Sequence, residues 1–309
     1  MLTIFLFFIG FYILIKGANF LVEGAVSFAH KFKIPHIVIG LIIVGIGSSI
    51  PEFAITFVSN LLDQKEIGLG TVIGSNTFNI LFILGFCAFL FPLTLKKIWV
   101  KRDMLWNIFA IILTCALALD GQLNSLDGVI MLATFIVWLI HVTKENKDHK
   151  DENEKESFHI VAVPIAIMMI LAGFLGIILG GKWVVDGAVA LAKNFGISQT
   201  MVGLTILGIG TSLPELAIAV VAAYKKESGI AVGTIIGSNI FDFLMILGTS
   251  ALVKPILFPK NLFFDISLTL FSAILLYIFM FTGTKHTLKR FEGFLFVAIY
   301  IAYIAYIIS

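Results

Sequence analysis

The sequence predicts an all-α integral membrane protein of ten transmembrane helices, arranged as two inverted five-helix repeats. Three observations lead there. Of the 309 residues, 59% are hydrophobic and only 13% charged, with a mean hydropathy of +1.05, whereas soluble domains carry about 25% charged residues. The chain also repeats itself. Residues 40–53 (GLIIVGIGSSIPEF) match 203–216 (GLTILGIGTSLPEL) at nine of fourteen positions, and residues 70–79 (GTVIGSNTFN) match 233–242 (GTIIGSNIFD) at seven of ten. Both pairs are offset by 163 positions, so the halves align without a gap from Gly17/Gly180 to Gly85/Gly248. Finally, each copy holds an odd number of apolar spans, which brings the second copy into the bilayer facing the opposite way.

Apolar runs near the roughly 20 residues that cross a bilayer fall at 2–28, 35–61, 67–91, 104–119 and 125–142. They recur at 160–191, 198–223, 229–252, 261–282 and 291–308. The chain thus divides into a first repeat at 1–142, a charged linker at 143–159 and a second repeat at 160–309. The opening MLTIFLFFIGFYILI has no basic residue ahead of its apolar run and reads as a span, not a cleavable signal. The linker, with four Lys and six Asp/Glu between 143 and 157, reads as a solvated connection in preference to a calcium sensor.

Loop charges set an expected orientation. With the N-terminus outside, inner loops carry 15 Lys/Arg: Lys31, Lys33, Lys96, Lys97, Lys101, Arg102, Lys144, Lys147, Lys150, Lys155, Lys225, Lys226, Lys285, Lys289 and Arg290. Outer loops carry 4: Lys65, Lys193, Lys254 and Lys260. The bias places both termini outside the inner membrane and the 143–159 linker in the cytoplasm. A net charge of +2 gives no reason to expect a nucleic-acid partner. Cys87 and Cys115 sit in apolar runs as small hydrophobes.

The best-preserved parts of the duplication are polar. In Gly45-Ile46-Gly47-Ser48-Ser49-Ile50-Pro51-Glu52, two glycines and a proline weaken a helix at mid-span. Carbonyls freed there are tolerated only where protein, water or an ion takes them up. Ser48 and Ser49 precede Glu52 by four and three residues, so their oxygens share a face. Gly208, Gly210, Thr211, Ser212, Pro214 and Glu215 repeat the arrangement, and the GSN motifs add Ser75 with Asn79 and Ser238 with Asp242. Carboxylates, hydroxyls, a carboxamide and main-chain carbonyls form an all-oxygen set suited to hard cations such as Ca²⁺ and Na⁺. A GxG in a membrane helix is by itself more often a close-packing device. Packing does not account for Glu52 and Glu215, because an unpaired intramembrane glutamate costs several kcal/mol.

Other charges read differently. Lys16 with Glu23, and Lys182 with Asp186, lie in the small-residue contexts GANFLVEGA and GGKWVVDGA and suggest a packing and sliding surface between helices. Asp120, Asp127, Asp265 and Glu292 stand at expected helix ends and read as caps.

GIGSSIPE, GIGTSLPE and the paired GSN-x-F-[ND] segments resemble the two α-repeats of the sodium/calcium exchanger superfamily, the cation/calcium antiporters, and are closest to its compact prokaryotic members. The resemblance covers nearly the whole chain. It implies that Glu52 and Glu215 are central Ca²⁺ ligands shared with Na⁺ sites, and that Ser49, Ser75, Ser212, Ser238 and Thr211 serve Na⁺. Gly45 and Gly208 fall where the family presents main-chain oxygens. Ser48 stands where threonine is more usual, and Gly45 and Gly208 where archaeal relatives often have alanine. The resemblance implies that Asn79 and Asp242 sit beside the central site, and an aspartate in the second repeat is also the pattern of potassium-dependent exchangers.

The expected function is secondary-active exchange of Na⁺ for Ca²⁺ by alternating access. Spans 2, 3, 7 and 8 hold the site and spans 1 and 6 slide against them. The partners are inorganic cations and the lipid bilayer, with no cofactor and no enzymatic activity. Coupling to K⁺ or H⁺ within the same fold is the near alternative, and a passive cation channel the distant one. A hydrolase using Ser48 or Ser49 lacks a His or Lys spaced to act as its base.

Overall fold

The computed structural model describes residues 2–32, 34–61, 65–145, 160–194, 208–260, 262–282 and 286–308. Nearly all of them are helical. In the first repeat, α1 (Leu2–Phe32) is followed by α2 (His36–Ser48) and α3 (Ile50–Leu61), which meet at a bend of 43°. Then come α4 (Lys65–Thr77, continuing through Phe78–Leu84 and Gly85–Leu90), α5 (Lys97–Leu117) and α6 (Ser125–Glu145). The second repeat has α7 (Val163–Asn194), the short α8 (Gly208–Thr211), α9 (Leu213–Tyr224) and α10 (Ser228–Phe241, continuing through Asp242–Ile246 and Leu247–Val253). It closes with α11 (Leu262–Thr282) and α12 (Arg290–Ile308).

Among the described residues, eight helices are long and apolar enough to cross a membrane, and the bent pair α2–α3 supplies a ninth span. The expected span 198–223 is represented by α9, with residues 198–207 outside the described residues. The charged linker lies outside them too, apart from 143–145, which end α6.

The fourth span is a correction. It begins at Lys97, seven residues before the expected 104, so Lys97, Lys101 and Arg102 belong to helix and not to loop. The charges are accommodated where they stand. Lys97 and Lys101 place their ammonium groups 5.9 and 5.8 Å from the Phe281 ring, and the Arg102 guanidinium is held by the adjacent Asp103 at 2.7 and 3.0 Å.

The outer surface departs from that of a soluble protein, while the core remains apolar. Helices α4 and α10 lie at the centre, with 78% and 94% of their most apolar windows buried, while α12 buries only 17%. Ile136, Met168, Leu171, Phe271 and Ile301 point outward, as a lipid-facing surface requires. Glycines set the closest approaches. Gly10, Gly17 and Gly24 of α1 face Gly180, Gly173 and Ala166 of α7, so the two helices run antiparallel with their backbones in contact. A Cβ on Gly17 would stand 2.8 Å from the Gly173 carbonyl oxygen, which is the small-residue packing the sequence suggested. Gly293 against Gly85 (α12 on α4) and Gly128 against Gly248 (α6 on α10) are one contact made twice, with the repeats exchanged.

Two short antiparallel ladders tie the repeats together: Leu93–Thr94 (β1) with Thr287–Leu288 (β4), and Gln122–Leu123 (β2) with Ile256–Leu257 (β3). Each joins loops that the charge pattern had assigned to one side.

The isolated charges resolve as follows. Glu23 pairs with Lys225 at 2.6 Å and not with Lys16, whose ammonium lies over Tyr12. The Asp186 side chain lies outside the described residues. Asp127 and Glu292 accept from the backbone N–H of Asn124 and Lys289, three residues upstream, and Asp120 accepts from Gln122 N. Asn124 caps α6 in return, through Leu126 N and Asp127 N. Among the described residues Asp265 is engaged elsewhere: its Oδ1 accepts from the Tyr303 hydroxyl at 2.7 Å, joining α11 to α12.

Candidate ion-binding site

The two PE motifs break their helices at the same place. Ser49, between α2 and α3, has φ −83° and ψ 6°, and Ser212, between α8 and α9, has φ −90° and ψ 8°. Pro51 and Pro214 follow two residues later and cannot donate to the preceding turn. Glu52 and Glu215 therefore stand in the first turns of α3 and α9, beside the breaks. Opposite them, α4 and α10 change to π-helical winding at Phe78–Leu84 and Asp242–Ile246. Asn79 and Asp242 stand where this winding begins. Extra-residue turns of this kind recur at functional sites.

Helix α2 reaches this centre by backbone packing on α10. A Cβ on Gly45 would lie 2.9 Å from both Ser238 N and Thr234 O, and one on Gly237 would run into the Leu41 carbonyl. That approach brings Ser49 Oγ to 2.5 Å from Ser238 Oγ, while Ser238 Oγ lies 3.3 Å from Glu215 Oε1. Ser48 and Ser49 lie beside Glu215, and Thr211 lies beside Glu52. Each repeat thus offers hydroxyls to the other repeat's glutamate.

Burial is nearly complete. Ser48, Ser49, Glu52, Ser75, Asn79, Ser212, Glu215, Ser238 and Asp242 are all buried, with Thr211 partly so. Yet among the described residues several polar atoms have no partner in strict hydrogen-bonding geometry: both oxygens of Glu52, Oε2 of Glu215, Oδ1 of Asp242 and Oγ of Ser212. Glu52 also stands within electrostatic range of Glu215 and Asp242. Three buried acids with spare lone pairs and, among the described residues, no basic neighbour in the cluster are unfavourable unless a cation or proton joins them. No group of three or more His, Cys, Asp or Glu among the described residues is close enough to hold a metal ion alone. A cation here would also draw on hydroxyls, carboxamides and main-chain oxygens.

Some expected donors are already engaged. Ser48 and Ser75 donate to Gly45 O and Val72 O, both at 3.1 Å, and Ser49 N also donates to Gly45 O at 3.3 Å. Gly208 opens α8 at the equivalent place.

Two site residues escaped the sequence reading. Asn76 and Asn239, the asparagines of the GSN motifs, cross between repeats. Asn76 Nδ2 donates to Asp242 Oδ2 at 2.9 Å, and Asn239 Oδ1 accepts from Asn79 Nδ2 at 3.1 Å. These are one contact made twice, with a carboxylate in one and a carboxamide in the other. Their identity in both copies was the available signal.

Comparison with known proteins agrees with this picture. The family model for the sodium/calcium exchanger protein matches residues 2–144 and 165–309. The inner membrane protein YrbG of Escherichia coli (strain K12) is 34% identical over 255 residues, covering 80% of this chain and 78% of that protein. The sodium/calcium exchanger MaX1 of Methanosarcina acetivorans is 28% identical over 336 residues, covering 96% and 95%. A solved structure of the sodium-calcium exchanger NCX_Mj, soaked with Na⁺ and Ca²⁺, matches with a TM-score of 0.86 at 29% identity, covering 99% of this chain and 98% of that one. The inverted-repeat helical fold, the two buried glutamates and these likenesses converge: this multi-pass membrane protein belongs to the sodium/calcium exchanger family, whose members are cation/Ca²⁺ antiporters and not enzymes.

Proposed function

We propose that this chain exchanges Na⁺ for Ca²⁺ through one central site shared by its two repeats, 1–142 and 160–309. The observation that carries this is the pair Glu52 and Glu215. They stand at equivalent helix breaks, are buried from solvent, and among the described residues three of their four carboxylate oxygens lack a donor in strict hydrogen-bonding geometry. Two ionised glutamates match the double charge of one Ca²⁺. Ser49, Ser75, Ser212, Ser238, Ser48 and Thr211 would complete its shell or hold Na⁺, with the carbonyls of Gly45 and Gly208 and the side chains of Asn79 and Asp242 at its edge. Competition for the same oxygens makes the two ions exclude each other, which is the basis of exchange. The basic loops would face the cytoplasm, with both termini outside.

Purified protein in Na⁺-loaded liposomes tests this. Ca²⁺ uptake is expected with an outward Na⁺ gradient alone. Uptake that requires K⁺, or that follows only a proton gradient, would transfer the coupling role to Asp242, the third buried acid. Flux only down the Ca²⁺ gradient, indifferent to all three ions, would mark a channel and overturn the proposal.

A further inference from the structure

We propose that the Glu23–Lys225 ion pair is a one-sided latch that favours the transport state in which α1 is docked on α9. The inference rests on the exchange proposed above running by alternating access, with α1 and α7 sliding against the helices that hold the site.

In an inverted-repeat transporter, the two end states are related by exchanging the roles of the repeats. Contacts with a counterpart in the other copy contribute equally to both states. Only contacts without one can favour either. Helix α1 packs along α9, whereas among the described residues α7 has no comparable packing along α3. Among the described residues the α1–α7 pair therefore leans on α9, as one of the two states requires.

At the end of that seam, Lys225 Nζ meets Glu23 Oε1 at 2.6 Å. Moving the pair to its duplicate positions, by the 163-residue offset, gives Asp186 and Leu62. Leucine offers no cation, so the exchanged state has no ion pair at these duplicate positions.

A second link fixes the loop that carries Lys225. His36 Nδ1 and Glu227 Oε2 are 2.6 Å apart, joining the start of α2 to the residue before α10. Its duplicate positions are Gln199 and Gln64, both neutral. At the other end, Asn60 Nδ2 donates to Ser250 O and Lys254 O at 2.8 and 2.9 Å. Those bonds join α3 to α10 and do not touch the sliding pair α1–α7. Exposure of the latch is intermediate, with the Lys225 side chain 14% and the Glu23 side chain 43% exposed. That is wet enough to break on each cycle and dry enough to register as more than a surface pair.

The test is hydrogen–deuterium exchange on the full chain in Na⁺ buffer, comparing wild type, Glu23→Lys, Lys225→Glu and the double swap. Either single change should speed exchange in peptides covering 24–32 and 220–228, roughly threefold. It should also slow exchange in peptides covering 50–61, and the swap should restore the wild-type pattern. Faster exchange at 24–32 with no slowing at 50–61 would mean local fraying and would overturn the latch, as would a swap that fails to restore. Lys225→Met replaces the charge reversal if that variant does not fold. Na⁺-driven Ca²⁺ uptake is measured on the same preparations. A wild type that transports but shows no linked shift between ends disproves the latch alone, whereas a wild type with no uptake disproves the exchange function.

Discussion

Ser49 and Ser238 meet hydroxyl to hydroxyl, Oγ to Oγ at 2.5 Å, across the boundary between the two repeats. Ser49 occupies the break between α2 and α3, and Ser238 also donates to Glu215 Oε1. A residue that interrupts one repeat is thus linked through a single hydroxyl to the buried glutamate of the other.

Removing that hydroxyl should weaken ion handling more than folding. Ser238→Ala leaves Ser49 Oγ and Glu215 Oε1 without this partner, a cost of about 1–3 kcal/mol for a buried polar group. We expect a KM for Ca²⁺ raised roughly tenfold or more, with the protein still monodisperse. Initial rates of uptake against Ca²⁺ concentration check this, and an unchanged KM would show that Ser238 serves packing only.

Neutralising a glutamate should abolish ion-linked stability. Wild type should gain about 2.7 kcal/mol at Ca²⁺ a hundredfold above its Kd. Glu52→Gln should lose that gain and be no less stable without ions, because it removes one charge from a cluster of three buried acids. Thermal unfolding with and without Ca²⁺ reads both quantities. A calcium-dependent gain preserved in Glu52→Gln would place the ion elsewhere.

Asp242→Asn should make the two crossing contacts alike, since Asn79 already meets Asn239 where Asp242 meets Asn76. The fold is expected to persist, and any K⁺ requirement for uptake to vanish. The check is Ca²⁺ uptake with K⁺ present and absent, in wild type and variant.

Bulk in the α1–α7 seam should be costly. Gly173→Leu would drive a side chain into Leu21 N and Gly17 O, which lie 2.7 and 2.8 Å from the position of a Cβ. Overpacking of this kind costs about 1–3 kcal/mol or more. We expect a lowered unfolding temperature and slowed transport, and a variant as stable and active as wild type would show that the two helices need no close contact.

The fold was legible because duplication and hydropathy act over long stretches. The positions of the helix breaks were legible too, since Gly45, Gly47 and Pro51, with Gly208, Gly210 and Pro214, punctuate mid-span runs. The start of α5 was not. Lys97, Lys101 and Arg102 look like loop until Phe281 and Asp103 are known to receive them. The π-helical turns at Phe78 and Asp242 have no simple sequence signature, because they depend on what packs opposite. Asn76 and Asn239 were overlooked because asparagine in a GSN run reads equally well as a backbone-bonding residue, and Asn76 does bond Val72 O as well as Asp242. Partners across repeats, such as Glu23 with Lys225 some 202 positions away, are set by tertiary packing alone.

Two repeats that build one calcium site must bind one ion between them. Equilibrium binding of radioactive Ca²⁺ to purified wild type, Glu52→Gln and Glu215→Gln tests it most directly. One Na⁺-displaceable Ca²⁺ per chain is expected in wild type and none in either single variant. Half of the wild-type binding surviving in each variant would mean two independent sites, and would contradict it.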